Sequence, residues 1–410
     1  MFKLVPRRAY NNMLRTISFL LVAFAGISAT GSHAEPSPTF ALHNSDTLVF
    51  YGDSITEQLG YCRDIESYVV SHYPSEHVHF ITSGWGGDTV RGGHGGSINT
   101  RLRRDVFSYH PSVVTVFLGM NDGRYTVYDP PIFNRYVTGM LHIIGAIRLA
   151  LPHARIVLIT PSNFDKNTKT WVRTPSYNNT LLRFGDYLKK LGSHKSIQVI
   201  DVNAPMARAL TEARKTDTHY TLTQDGVHPN DAGHAIIAAT ILEAWHAAPS
   251  DPIQLTLGKQ TLVYCSLPWP LPKDASSAKG YSAAFDTYAP LLVAAPGLKD
   301  GMYRLQMDGT DLGAFDAKSL QDGVDLSSIP HCPLIAQANK IYAMIVARTN
   351  KWHHFSKGDR GGVAKKSDLP TVAEVHKLQS FDHAMYVLDD DIRLAAAPGP
   401  HKFLLDPEQR

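Results

Sequence analysis

Four short blocks hold the residue types that nucleophilic chemistry needs. The first is Val49-Phe50-Tyr51-Gly52-Asp53-Ser54-Ile55-Thr56. An apolar run stops abruptly at Gly52, and Ser54 then stands where open α/β sheets place their ligands, outside the carboxyl ends of the strands. A serine hydroxyl is a weak nucleophile until a base takes its proton. The fourth block, Asp225-Gly226-Val227-His228-Pro229-Asn230, offers that base. Asp225 and His228 lie three apart ahead of a helix. On one turn, the carboxylate can bond one imidazole nitrogen and leave the other facing a serine, as a triad requires.

The other two blocks offer hydrogen-bond donors. Gly84-Trp85-Gly86-Gly87-Asp88-Thr89 follows a second apolar run. It reads either as a glycine-rich turn or as a loop whose Gly87 N–H meets a developing oxyanion, since glycine lets backbone approach a ligand closely. Gly119-Met120-Asn121-Asp122 follows a third run. Asn121 is either a turn residue before Asp122-Gly123 or a side-chain amide donor at a strand's end.

Positioning these blocks requires a scaffold, and residues 47–248 alternate strand and helix patterns. Strands are expected at 48–51, 78–82, 113–118, 156–160 and 197–202, with helices near 61–72, 98–109, 132–151, 177–191 and 232–247. Continuous apolar strands between helices indicate a parallel sheet covered on both faces. After Pro249 the pattern changes. Residues 253–331 hold short alternating runs broken by Asp300-Gly301, Asp308-Gly309 and Asp322-Gly323, which are turn signals of a small β unit. Residues 333–397 turn helical, with Pro333 at one helix start and Thr371 and Glu374 as a capping box for another. Between them Lys357–Asp368 reads as a mobile polar loop.

Together the blocks Gly52-Asp53-Ser54, Gly87, Gly119-x-Asn121-Asp122 and Asp225-x-x-His228-Pro229 resemble those of the SGNH, or GDSL-type, hydrolases, over about residues 47–248. The resemblance implies Ser54 as nucleophile, His228 as base and Asp225 as its orienter. It implies an oxyanion hole of the Ser54 and Gly87 N–H groups and the Asn121 amide. It also implies a flavodoxin-like three-layer α/β/α domain over 47–250, needing no metal or other cofactor. One departure is Ile81-Thr82-Ser83 before Gly84, where many members carry an Asn. Residues 297–309 are similar to a C-terminal extension of some secreted bacterial members, so 251–410 is expected to be a smaller β-plus-helix domain. All four blocks end by residue 230, so the chemistry is expected to be complete without it.

Composition bounds the function. The chain has 410 residues, 43% hydrophobic and 19% charged, with a net charge of +3 that gives no case for nucleic acid. Residues 1–34 read as a signal peptide, with Arg7, Arg8 and Arg15, an apolar middle at 19–25, and a cleavage site after Ala34. Met13 is an alternative start. The apolar run falls short of the ~20 residues of a membrane span. The expected location is therefore secreted or periplasmic, and residues 35–46 read as a tether.

The cysteine spacing matches no zinc site, and Cys265 and Cys332 are expected to pair, leaving Cys62 free. Gly92-Gly93-His94-Gly95-Gly96 lacks a P-loop's Lys-Ser/Thr ending and reads as a flexible loop edging the site. His353-His354 reads as surface, and Trp85 and Tyr125 as pocket wall or core. The expected activity is hydrolysis of short acyl esters of a carbohydrate, with a lysophospholipase or thioesterase as the alternative. A catalytically idle glycan-binding module is the rival from another class. It has no use for Ser54, Asp225 and His228 together.

Overall fold

Leu48-Val49-Phe50-Tyr51 has no polar face, and it forms β1 (Thr47–Gly52), buried from Leu48 onward. Such a run suits a strand covered on both sides. The computed structural model describes residues 39–195, 197–360 and 372–408. The export signal with its Ala34 site, residues 361–368 of the polar loop and the Thr371 cap lie outside these.

After β1 come α1 (Ser54–Glu57), α2 (Gly60–His72), β2 (His79–Gly84), a hairpin of β3 (Gly92–Gly93) and β4 (Gly96–Ser97), and α3 (Ile98–Asp105). Then follow β5 (Val113–Phe117), α4 (Pro130–Ala150), β6 (Arg155–Ile159), α5 (Tyr177–Lys195), β7 (Gln198–Ile200), α6 (Asn203–Ala213) and α7 (Asp231–Ala244). Five of these strands form one sheet in the order β2-β1-β5-β6-β7, all neighbours parallel. This is the flavodoxin-like order, whose direction of winding reverses beside β1 and opens a crevice there. Gly52 is in register with Gly84 on one side and Phe117 on the other. Three of the four blocks therefore leave the sheet at one level.

The sequence expected a strand running to Val202 and no helix after it. The strand stops at Ile200, because Asp201 Oδ1 accepts the Asn203 and Ala204 N–H groups at 3.0 and 3.3 Å and starts α6. The last expected helix forms as α7, and every residue from Ala232 to Leu242 is buried. Its outer side is covered by the turn 273–278 and by α8 (Ala283–Tyr288).

The second half contributes β8 (Ile253–Gln254), β9 (Thr261–Tyr264), β10 (Leu292–Ala294), β11 (Met302–Met307), β12 (Thr310–Asp316), α9 (Ala317–Asp322), β13 (Val324–Asp325), α10 (Pro333–Phe355), α11 (Val372–Ala396) and β14 (Pro400–Pro407). Asp308 and Gly309 both have positive φ, 50° and 80°, and turn β11 into β12 as the Asp-Gly signal predicts. One antiparallel sheet runs β12-β11-β14-β9, and a smaller one runs β13-β10-β8. This half has its own apolar cluster. It also sends Trp269, Phe285, Tyr288, Trp352 and Met385 into the cluster around the parallel sheet, and residues from Thr39 onward form one compact unit.

Two expectations are corrected here. Residues 40–46 do not hang free: Phe40 stacks on Tyr73 with centroids 4.1 Å apart, and the Ala41 N–H donates to Trp245 O at 2.8 Å. All three cysteines are free and buried. Cys265 and Cys332 sit in one apolar cluster as thiols, and Cys332 Sγ lies 3.9 Å from Met307 Sδ.

The outer edge of β2 is not left open. Along it, Arg348 Nη1 donates to Phe80 O at 3.1 Å, Trp352 Nε1 to Thr82 O at 3.0 Å, and Lys357 Nζ to Gly84 O at 2.9 Å. The three carbonyls alternate along the strand, so they point one way. The three donors come from α10 and the π-helical turn Ser356–Arg360 that continues it. That turn is the ordered start of the segment expected to be mobile.

Candidate active site

Asp53 caps α1, its Oδ1 accepting the Ile55 N–H at 3.0 Å, and Ser54 becomes the first residue of that one-turn helix. The first N–H groups of a helix have no intrahelical acceptor. Ser54 thus presents both its hydroxyl and its N–H beyond the strand end. Asp225 Oδ1 accepts the Val227 and His228 N–H groups at 3.0 and 2.8 Å, which tightens the turn carrying His228. His228 Nδ1 then lies 2.9 Å from Asp225 Oδ2, and His228 Nε2 lies 2.9 Å from Ser54 Oγ. With Nδ1 bonded to a carboxylate, the imidazole keeps its proton there and turns a lone pair toward the serine. Partial burial pushes the Asp225 carboxyl up, but the His228 N–H and imidazole outweigh it and hold the carboxyl below its ordinary value. Side chains of His228 and Asp225 are about 28% and 31% exposed, open enough for a substrate.

Gly87 has φ of +74°, a conformation that favours glycine. A Cβ there would meet the His94 ring at 3.1 Å. The Gly92–Gly96 stretch that brings His94 in is a hairpin, not the flexible loop expected, and the Gly95 N–H ties it to Asp88 Oδ1 at 3.2 Å. The Asn121 amide is oriented at both ends. Its Nδ2 donates to Asp88 O at 3.0 Å, and its Oδ1 accepts Tyr125 O–H at 2.6 Å. One N–H of the amide remains for a third group. Tyr125, left open as wall or core, is thus the residue that holds Asn121.

The structure brings Ser54, Asp225 and His228 together, with Gly87 and Asn121 beside Asp88. It also adds residues that sequence reasoning missed. Arg101, fully buried, pairs with Asp88 at 2.5 Å and with Asp105, and donates to Gly52 O at 3.3 Å and Ser83 O at 2.8 Å. It locks the first two blocks together. The i to i+4 spacing of Arg101 and Asp105 on a helix was a legible pair signal, though not its burial. Glu57, on the last position of α1, pairs with Lys357 at 2.5 Å. His353, expected at the surface, lies 3.7 Å from the same carboxylate. Trp171 is 56% exposed and packs its ring against Tyr125, centroids 4.5 Å apart.

Residues 50–236 match the model of the GDSL-like lipase/acylhydrolase family. An acetylxylan esterase of Geobacillus stearothermophilus is 25% identical over 219 residues, which are 48% of this chain and 93% of that esterase. A solved gut microbial diltiazem-metabolizing enzyme superposes with a TM-score of 0.74 over 90% of this chain and 99% of its own, at 22% identity. The crystal structure of the Geobacillus acetylxylan esterase covers 50% of this chain and 96% of its own, with a TM-score of 0.41 at 24% identity. The first of these structures shows that the fold described here, its C-terminal half included, recurs in another protein.

Proposed function

Since residues 50–236 are a domain of the GDSL-like lipase/acylhydrolase family and the chain is a carboxylic ester hydrolase, we propose that it removes short acyl groups, acetyl foremost, from a carbohydrate by a Ser54-His228-Asp225 acyl-enzyme route. One observation carries this reading: the unbroken hydrogen-bonded chain from Ser54 Oγ through His228 to Asp225, with both links at 2.9 Å. Ser54 Oγ attacks the ester carbonyl as His228 Nε2 takes its proton, and Asp225 holds the tautomer and steadies the imidazolium. The oxyanion is met by the N–H groups of Ser54 and Gly87 and the Asn121 amide. His228 returns the proton to the leaving alcohol, and water repeats the steps on the acyl-enzyme. The basic, apolar and small-residue pattern of residues 1–34 supports export. The likeness to an acetylxylan esterase supports the acetyl-carbohydrate substrate.

A fluorophosphonate probe is expected to label Ser54, and acetylated xylo-oligosaccharide is expected to release acetate in a Ser54-dependent way. Asn121→Ala should lower kcat by ~100- to 1,000-fold and move KM much less, since a preorganised donor gains strength as charge develops. An unlabelled Ser54, or turnover retained by Ser54→Ala, would refute the route. Release of long-chain acids in preference to acetate would move the substrate to lysophospholipids.

A further inference from the structure

We propose that Lys357, carried in from the C-terminal half, is a positioning residue that fixes the Gly84–Gly87 loop against the nucleophile's helix and so sets the Gly87 donor of the oxyanion hole. The proposal rests on the serine-esterase reading above. A lysine ammonium has three donors and is usually solvated. Here the side chain is only 19% exposed and each direction is occupied. It lies 2.5 Å from Glu57 Oε1, 2.9 Å from Gly84 O, and 3.5 Å from the centroid of the Trp85 ring. Those partners belong to two elements that must keep their spacing. Glu57 ends the helix that Ser54 begins. Gly84 and Trp85 open the loop that reaches Gly87 two residues later.

Neighbouring contacts make the linkage stiff. The Gly86 N–H and His353 help hold the Glu57 carboxylate charged; burial alone would push its pKa up, yet it is held down at about 2. At Gly84 a Cβ would lie 2.2 Å from the Glu57 nitrogen, so loop and helix touch backbone to backbone. Arg104 and Arg101 also face the Trp85 ring, at 4.9 and 5.7 Å from its centroid. Beyond Gly87 the loop is anchored again, where Asp88 meets Arg101. Gly87 therefore hangs between two fixed points, one of them supplied from beyond residue 250. Lys357 is the last of the three side chains that cap alternate carbonyls of β2, and the one that reaches the active-site end of the strand.

The test uses the full chain and p-nitrophenyl acetate. Lys357→Met is expected to lower kcat by about 10- to 100-fold, the scale of a small misplacement of a reacting geometry, with KM changed little. Lys357→Arg should restore most of the loss. If Lys357 acts through Glu57, the loss should shrink sharply on a Glu57→Gln background, because residues in one linkage are not additive. A folded Lys357→Met with wild-type kcat overturns the proposal, as does a loss equal on both backgrounds. Should Lys357→Met not fold, Lys357→Gln carries the same criteria. Ser54→Ala is run alongside. Wild-type turnover that does not depend on Ser54 overturns the esterase reading itself, a different result from a silent Lys357.

Discussion

Asp122 follows Asn121, and its carboxyl is buried. Burial pushes its pKa up to about 7 against the pull of the Val90 N–H, and Asp88 adds to the rise. Asp53, which caps the helix that Ser54 begins, is pushed up to about 8 mainly by burial, with Asp122 and Asp88 contributing. In their protonated form these carboxyls add no negative charge beside Ser54 and Asn121. The sign for stability follows. Between the ordinary value of 3.8 and about 7, the folded Asp122 keeps a proton that the unfolded chain has released, so stability falls as pH rises through that window. Asp122→Asn escapes this loss and keeps an oxygen for Val90. In urea unfolding its advantage over wild type should open from about pH 4, be complete by about pH 7, and stay level above. A difference constant with pH would mean an ionised Asp122. Ser54, Asp225 and His228 were legible in sequence because each relation is local, a strand end or a three-residue turn. Lys357 was not, because 273 positions separate it from Gly84 and no local pattern encodes such a contact.

Among elements, the parallel strands were readable from their continuous apolar runs, and the β11–β12 hairpin from Asp308-Gly309. Strand β14 and helix α6 were not, since one depends on partners elsewhere in the sheet and the other on a single capping aspartate. The segment between β6 and α5 is tied to the same site. Asp165 N–H donates to Gly226 O at 2.9 Å, and Thr170 lies against Gly226. This ties the segment to the turn that carries His228. Trp171 follows, exposed and set against Tyr125, which holds Asn121. An indole there is exposed as a flat apolar face of the kind a sugar ring would stack on, with its N–H as a polar handle. Trp171→Ala is expected to raise KM for acetylated xylo-oligosaccharide about tenfold, equivalent to ~1.4 kcal/mol of binding. Its kcat/KM for p-nitrophenyl acetate should change little. Equal losses on both substrates would place Trp171 in the support of Asn121 instead.

Across the whole molecule, the change of character near residue 250 was visible in composition, while the joining of the halves was not. Arg348 makes much of that joint. It is buried between Glu66 of α2 at 2.6 Å and Asp389 of α11 at 2.9 Å, and it donates to Phe80 O. Burial alone would lower its pKa, but the two carboxylates raise it, so it stays charged. Removing it strips Glu66 of its guanidinium partner and leaves Asp389 with only the His79 ring, at 3.3 Å. Arg348→Met should therefore cost about 3–5 kcal/mol of unfolding free energy in urea titrations. A cost under about 1 kcal/mol, the scale of an exposed pair, would show that water replaces the guanidinium.

The capped edge of β2 has a consequence for the chain's birth. All five strands of the parallel sheet have been translated by residue 200, whereas the side chains that close the edge of the outermost strand sit at 348, 352 and 357. At roughly 5–20 residues per second, a nascent chain waits on the order of ten seconds between the two events. An uncovered strand edge is a template for another chain's strand. Helix α10, with the turn that continues it, is in that sense a built-in chaperone that arrives late. A fragment released before it would betray itself first as a precipitate, well before any assay of turnover could be read.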